Sequence, residues 1–182
     1  MAILPADVTI RLRPNQARYT SDEQQRDMQN QTGREYQEKI YAWLLRRSQE
    51  RGYTVQFQDV RQTLARLHES DISQEQVRAH APQELAKLLG VDAVLTTSVL
   101  TTKPMSEGAA VALGVAGALM GGAIIGTTNQ ANITVNIHEA EAGKLLWRYD
   151  YLASGSVFSS ADAIVNALMR NASKKFPYTA KS

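Results

Sequence analysis

The sequence has no cysteine, and this absence excludes disulfides, a thiolate nucleophile and metal sites built on cysteine ligands. It also has no large excess of one charge, because 20 Lys and Arg residues and 18 Asp and Glu residues leave a net charge of +2. A dedicated nucleic-acid-binding chain usually carries a strong basic excess. We therefore expect no nucleic-acid partner for this chain of 182 residues, whose length suits a domain with its own core.

Motifs for catalysis and for cofactor binding are also missing from the sequence. None of the three histidines, His68, His80 and His138, lies at the i+3 or i+4 spacing from another histidine that helical metal sites use. The serines lack the G-x-S-x-G motif of hydrolases, and Gly143-Lys144 lacks the rest of a phosphate-binding loop. We predict that the protein is not an enzyme and has no catalytic residue, metal or cofactor. A small enzyme of unknown class is one alternative.

The first hundred residues alternate between strand-like and helix-like patterns of apolar side chains. Capping residues mark the helix ends, since Asp59 and Ser73 are typical N-cap residues and Gly90 is typical of a C-terminal cap. The predicted elements are a strand at 8–12, a polar loop and fraying helix start at 15–32 that lie outside the core, a helix at 33–51, a strand at 53–58, short helices starting near residues 59, 73 and 82, and a strand at 91–100.

The last fifty residues predict a β-hairpin and a final helix. Strand-like alternation at 133–138 and 145–151 is separated by a short connection that contains Gly143, and helical spacing follows at 161–172. Three aromatic residues lie on the apolar face of the second hairpin strand, and we predict that they are core residues rather than a ligand-stacking platform: Trp147, Tyr149 and Tyr151.

The order of these elements predicts a fold of the α/β class. The chain, 1–182, is predicted as a single domain in which a mixed β-sheet follows the order β-α-β-α-β-[apolar insertion]-β-β-α, with helices packed on the sheet. The apolar insertion covers about residues 104–130 and is rich in Gly and Ala. We find no internal repeat.

Most of the apolar insertion lies in a stretch without charge between Glu107 and His138. Residues 108–126 are 19 residues drawn only from Gly, Ala, Val, Leu, Ile and Met. That length is about enough to cross a bilayer core of roughly 30 Å as a helix. The sequence predicts that the strands on either side of this segment are neighbours in one sheet, and a single crossing would place them on opposite sides of the membrane, so it is excluded. The segment also lacks the polar alternation of barrel strands, which counts against a pore that it lines.

Small residues recur at every fourth position of the insertion, a stripe typical of interfaces at which helix backbones approach closely. We predict that this stripe mediates self-association or membrane contact through 108–126. A passive Gly/Ala loop, or an apolar flap lying on its own domain, is the alternative that the sequence leaves open. The candidate contact residues are Ala110, Gly114, Gly117, Ala118, Gly121, Gly122 and Gly126.

Two strings resemble a known group of proteins: LAKLLGVDAVLTTSVL at 85–100 and ITVNIHEAEAGKLLWRYDY at 133–151. The first carries Gly90, Asp92 and Ala93 in a turn from helix to strand, and the second carries Gly143-Lys144 in a hairpin. Together they resemble the bacterial envelope lipoproteins that share the fold of the TolB N-terminal domain and the curli-secretion protein CsgG, with PelC and LpoB as relatives.

The resemblance implies a non-catalytic accessory lipoprotein of the periplasm, anchored to the outer membrane in its native full-length form. Such a protein would act through contacts with other envelope proteins and through self-association in envelope assembly or secretion. The alternative is a subunit of an oligomeric outer-membrane secretion channel, because CsgG-like members insert a membrane hairpin at the position of the apolar insertion. The resemblance also implies an export signal and a lipid-bearing cysteine, neither of which occurs among these residues.

Overall fold

A mixed sheet of five strands lies between helices in the computed structural model, which describes residues 1–12, 14–101, 130–154 and 161–179. The strands are β1 (Ala2–Ile3), β2 (Asp7–Ile10), β3 (Ala93–Thr101), β4 (Gln130–Glu139) and β5 (Leu145–Ser154). The helices are α1 (Pro14–Ala17), α2 (Asp22–Arg51), α3 (Val60–Glu69), α4 (Gln74–Val77), α5 (Pro82–Leu89) and α6 (Ala161–Ala172), and a 3₁₀ helix at Ser173–Lys175 follows α6. The predicted single α/β domain with a mixed sheet is confirmed.

Strand β3 organises the sheet. Both β1 and β2 pair with it in parallel on one side, one after the other, and β4 pairs with it antiparallel on the other side. The parallel pairing of β2 and β3 follows from the helical crossover between them, which returns the chain to the same end of the sheet. Strand β5 pairs antiparallel with β4, as the sequence predicts for a hairpin.

The two faces of the sheet bury separate apolar clusters. Helices α2 and α6 cover one face, and α3 to α5 cover part of the other. Neighbouring residues of β3 therefore enter different clusters, since Leu95 belongs to the first and Val94 to the second, and both are fully buried. The start of β3 is therefore covered on both faces, whereas Ser98 further along the strand is exposed.

Local sequence signals set most helix ends as predicted. The side chain of Asp59 accepts a hydrogen bond from the Arg61 amide at the start of α3. Ser73 and Gln76 form a reciprocal capping box before α4. Gly90 ends α5 in the left-handed conformation, with φ of 62°, which a residue with a side chain rarely adopts.

The prediction that residues 15–32 form a loop and a fraying helix start outside the core is wrong for most of the segment. Helix α2 begins at Asp22 and includes most of this segment, with Ser21 as its N-cap in a capping box with Gln24. Met28 and Thr32, both within the segment, are buried. The polar pattern predicted a loop because α2 contacts the N-terminal segment, residues 1–12, mostly through glutamine side chains rather than apolar ones.

The prediction of a strand at 53–58 is also wrong. The side chains of Tyr53, Val55 and Phe57 do pack against the first core cluster, which accounts for their alternation. Among the described residues, their backbone pairs with no strand of the sheet. Tyr53 instead forms an isolated antiparallel bridge with Thr179, which lies outside the sheet. The place beside the start of β3 is occupied instead by β1, whose Ala2 pairs with Val94.

Candidate interaction surfaces

The predicted contact residues of the apolar insertion lie outside the described residues: Ala110, Gly114, Gly117, Ala118, Gly121, Gly122 and Gly126. The strands on either side of the insertion are neighbours, as predicted, because Thr101 of β3 pairs with Ala131 of β4. Both ends of the connection therefore leave the same end of the sheet. Of the helices in the described ranges, none is long and apolar enough to cross a membrane.

One edge of the sheet is covered by side chains of α2. Two side chains of α2 hydrogen-bond to the backbone of Ile10 in β2. Gln25 Nε2 donates to the Ile10 carbonyl oxygen at 2.8 Å, and Gln29 Oε1 accepts from the Ile10 amide at 3.0 Å. These two glutamines are one helical turn apart and lie on the same face of α2. The outward polar groups at the end of β2 are thus satisfied within the chain.

The same face of α2 continues to hold the N-terminal segment through its next two turns. The Gly33 carbonyl oxygen accepts from the Ala6 amide at 3.0 Å, and Gln37 Nε2 donates to the Ile3 carbonyl oxygen at 2.7 Å. Positions 25, 29, 33 and 37 thus form a ladder at four-residue spacing along the edge made by β1 and β2. We call this edge the closed edge, because a helix occupies it.

The opposite edge of the sheet is β5, which pairs with β4 alone among the described strands. We call β5, Leu145–Ser154, the open edge. Three of its leucines are exposed to solvent, with exposed fractions of 46% for Leu145, 42% for Leu146 and 55% for Leu152. Within the described ranges only two other large apolar side chains are exposed, Tyr19 and Leu45, so the exposed apolar surface concentrates on this strand.

A charged pair lies between the leucines of the open edge. Arg148 donates to both carboxylate oxygens of Asp150, with nitrogen–oxygen distances of 2.9 to 3.2 Å, and Thr134 of β4 donates to the same carboxylate at 2.7 Å. The hydrogen bonds from Arg148 and Thr134 lower the pKa of Asp150. Both partners are largely exposed, so the pair by itself adds little to the stability of the monomer.

The other face of β5 carries the three predicted aromatic residues, Trp147, Tyr149 and Tyr151. All three are half-buried and pack against the first core cluster, which confirms that they belong to the core. The Trp147 and Tyr149 rings stack with centroids 5.9 Å apart. Trp147 also meets the Phe176 ring edge-on at 5.8 Å, which ties the open edge to the chain after α6.

A cleft of about 560 Å³ opens beside the start of β3, between the segment at 54–58 and Tyr178. Asp92 and Tyr178 both line it, and partial burial, together with the charge of Asp92, raises the pKa of Tyr178. The Thr54 amide and hydroxyl both donate to the Tyr178 carbonyl oxygen, which holds one wall in place.

The histidines lie apart from one another in the fold. His80 Nδ1 is 3.6 Å from a carboxylate oxygen of Glu84, one turn along the chain, and His138 Nδ1 lies 3.2 Å from the Gly143 carbonyl oxygen. Among the residues that the structure describes, no three His, Asp or Glu side chains are placed to hold a metal ion.

Comparison with known proteins finds likeness at the level of the fold. No protein-family model and no curated protein sequence matches the chain. The crystal structure of lipoprotein GNA1162 from Neisseria meningitidis superposes with a TM-score of 0.50 at 13% identity, over 96% of this chain and 96% of that one.

Two further solved structures resemble the chain more loosely. The C-terminal domain of LpoB from Salmonella enterica gives a TM-score of 0.38 at 10% identity, over 85% of this chain and 81% of that one. The hypothetical protein CT253 from Chlamydia trachomatis gives a TM-score of 0.41 at 14% identity, over 96% of this chain and 93% of that one. The likeness to GNA1162 thus indicates a shared fold along almost the whole chain.

Proposed function

We propose that this protein is a non-catalytic accessory component of the bacterial cell envelope that acts through protein contacts. The observation that carries the proposal is the open edge, where exposed leucines flank a charged pair on a strand whose outer edge has no partner among the described strands. Unpaired strand edges bind other chains readily, and soluble proteins usually protect them. The sheet protects its other edge with α2, so the exposure of β5 is selective.

The envelope setting rests on the resemblance of the sequence to envelope lipoproteins and on the fold shared with lipoprotein GNA1162. Since one fold serves many functions, the setting needs its own test. The native full-length gene should be expressed in its own host with an epitope tag, and the cells separated into cytosolic, periplasmic and membrane fractions. We expect the tagged protein in the periplasmic and membrane fractions. Recovery in the cytosolic fraction alone would contradict the envelope setting.

Protein contact at the open edge is tested in the same cells by site-specific photo-cross-linking. A photoreactive amino acid replaces Leu152 on β5, and the matched control carries it at Ala65, an exposed position of α3. We expect cross-linked adducts from position 152 and none from position 65. Equal yields from the two positions would show that β5 is not a preferred contact surface.

A second candidate function is a subunit of an oligomeric secretion channel. The observation that favours it is the pairing of Thr101 with Ala131, which lets the connection between them leave and re-enter at one end of the sheet, as a membrane hairpin requires. Purified protein added to a planar lipid bilayer tests it. Stepwise conductance that disappears when residues 104–128 are deleted would support the channel, and no conductance at any concentration would contradict it.

A further inference from the structure

The open edge has a sequence that is complementary to itself. The strand reads Leu146-Trp147-Arg148-Tyr149-Asp150-Tyr151-Leu152, with Tyr149 at its centre. Each residue before Tyr149 has a partner of matching chemistry at the same distance after it. Leucine matches leucine, tryptophan matches tyrosine, and arginine matches aspartate.

An antiparallel pair of two such strands converts this symmetry into contacts. With a two-fold axis at Tyr149, residue i of one copy lies opposite residue 298 − i of the other. Arg148 then faces the partner's Asp150, and Leu152 faces the partner's Leu146. Directly opposite residues in an antiparallel pair have their Cβ atoms about 5 Å apart, where opposite charges and apolar groups attract.

The register also satisfies the backbone of the open edge. Alternate residues of an edge strand direct their amide and carbonyl groups outward, and the others bond to β4. Because i and 298 − i are both even or both odd, outward residues of one copy meet outward residues of the other from Trp147 to Tyr151, and the register shift opposite Ile137 and His138 interrupts the alternation only at Leu146. A shift by one residue would bring outward groups against inward ones and lose the ladder.

The charges exclude the main competing arrangement. In a parallel pair of copies in the same register, Arg148 would face Arg148 and Asp150 would face Asp150, and like charges directly opposite are destabilising. In the antiparallel register, the two Arg148–Asp150 pairs meet as a group of four alternating charges. The exposed side chains of Leu146 and Leu152 flank this group on both sides and are covered in the pair.

We infer that a second copy of this chain binds at β5, so that two sheets join into one continuous sheet through an antiparallel β5–β5 pair centred on Tyr149. This inference deepens the proposed function by naming one partner for the open edge, and it rests on that function only for its cellular setting. A strand pair with flanking leucines makes a small interface, so we expect a dissociation constant on the order of 10 µM.

The first test uses charge reversal and mixing. The variants Arg148→Asp and Asp150→Arg each place like charges opposite one another in a self-pair, and we expect each dimer to dissociate at least about tenfold more readily than the native dimer in sedimentation equilibrium. An equimolar mixture of the two variants restores opposite charges at both contacts, so it should form a heterodimer of near-native affinity. Both variants are checked for native melting temperature and circular dichroism.

A mixture that stays as monomeric as the separate variants would overturn the inference. So would native protein that remains monomeric at about 300 µM, well above the expected dissociation constant. Native-strength self-association of both single variants would overturn it as well, because the charged pair would then lie outside the interface.

The second test fixes the register and does not depend on affinity. The chain has no cysteine, so a single cysteine can cross-link only to the same position of another copy. In the Tyr149→Cys variant, the two Cα atoms on the axis would lie about 5 Å apart, within the range of a disulfide. In the Leu152→Cys variant, they would lie about 20 Å apart along the strands.

We expect mild oxidation to produce a covalent dimer from Tyr149→Cys and none from Leu152→Cys. The opposite result, or a covalent dimer from both variants, would overturn the antiparallel register. If the Tyr149→Cys chain does not fold, the mixing experiment still decides. A monomer that fractionates with the envelope would overturn the pairing and leave the proposed function standing, whereas a dimer confined to the cytosol would do the reverse.

Discussion

The carbonyl oxygen of Gly33, in the middle of α2, accepts a 3.0 Å hydrogen bond from the amide of Ala6 in the N-terminal segment. The two backbones are so close that a Cβ atom at position 33 would overlap the Ala6 carbonyl oxygen. Glycine in a helix interior ordinarily costs roughly 1 kcal/mol relative to alanine. At this position that cost is offset by the approach of the helix to the closed edge.

Replacing Gly33 by alanine should therefore destabilise the protein, although the same change stabilises most helices. We expect the free energy of unfolding to fall by about 1–3 kcal/mol, the usual cost of forcing an extra atom into a packed site. Urea denaturation followed by circular dichroism measures it. The matched control is Gln31→Ala, an exposed position of α2, which should leave stability almost unchanged. A more stable Gly33→Ala protein would contradict the close approach.

The ladder on α2 explains why the sequence pattern at 15–32 predicted a loop and a fraying helix start instead of a buried helix. Helix prediction looks for an apolar stripe, whereas the stripe that meets the closed edge includes Gln25, Gln29 and Gln37. Their function is to satisfy backbone groups of the N-terminal segment, which are distant in sequence. No local pattern identifies those partners, so the polar character of the segment favoured a loop.

The ladder predicts that the same substitution, glutamine to glutamate, destabilises the protein at one position and not at another. Gln25 donates a hydrogen bond to the Ile10 carbonyl oxygen, so Gln25→Glu removes the donor and directs a carboxylate at an acceptor. Gln29 accepts from the Ile10 amide, and a glutamate at 29 keeps that acceptor. We expect Gln25→Glu to lower the free energy of unfolding by about 1–3 kcal/mol and Gln29→Glu to change it little.

Chemical denaturation at neutral pH compares these two variants, which have the same net charge. Hydrogen exchange at the Ile10 amide gives a second readout, since it should accelerate only when the hold on β2 weakens. Equal destabilisation by the two glutamates would contradict the assigned donor and acceptor roles.

Elements that depend on residues close together in the sequence were predictable, and elements that depend on contacts with residues distant in the sequence were not. The β4–β5 hairpin and the capped helices α3 to α5 follow from short-range patterns, and they are confirmed. The two-residue strand β1 has too few residues to show a period, so its pairing with β3 was missed. The open edge was missed because strand neighbours, rather than residue types, decide which strand is at an edge, although the symmetry around Tyr149 is visible in the sequence.

The buried phenol of Tyr36 predicts a loss of stability in alkaline solution. Tyr36 is fully buried, and burial raises its pKa well above the ordinary value of 10.0. The folded state therefore holds the proton more tightly than the unfolded state, so the stabilisation is complete below pH 10 and is lost as the pH rises above it. We expect the melting temperature to fall between about pH 9.5 and 11, where unfolded tyrosine ionises.

Thermal unfolding at a series of alkaline pH values measures this dependence, and Tyr36→Phe is the matched variant. Phenylalanine keeps the ring and removes the ionisable group, so the alkaline decline should become shallower even if the variant starts from a lower melting temperature. Parallel declines for the two proteins would assign the alkaline loss to other groups.

Asp150 predicts that self-association weakens in acid. Arg148 and Thr134 hydrogen-bond to its carboxylate and lower its pKa below the ordinary value of 3.8. The carboxylate of Asp150 therefore stays charged at pH 5, and the contact with Arg148 of a second copy should be lost only as the pH falls through this lowered pKa, below 3.8. Sedimentation at pH 7, 5 and 3 measures the dimer, with circular dichroism to confirm the fold at each pH.

The Asp150→Asn variant tests the origin of this acid effect. It has no carboxylate at 150, so its dimer should be weaker at pH 7 and should respond less to acid than the native dimer. If the native and variant dimers weaken equally between pH 5 and pH 3, another carboxylate is responsible.

Self-association and membrane contact should be separable, because the open edge and the apolar insertion belong to different parts of the chain. Thr101 and Ala131 are paired, so an Asn-Gly turn in place of residues 103–129 would join β3 and β4 as a tight hairpin. We expect this deletion to keep the fold and the dimer and to abolish co-sedimentation with vesicles of phosphatidylethanolamine and phosphatidylglycerol. The matched variant Leu152→Lys changes β5 and leaves the insertion intact, so it should weaken the dimer and keep vesicle binding.

Loss of the dimer on deletion would instead assign self-association to the Gly/Ala stripe. Vesicle binding that is unchanged by the deletion would show that the insertion is a passive loop.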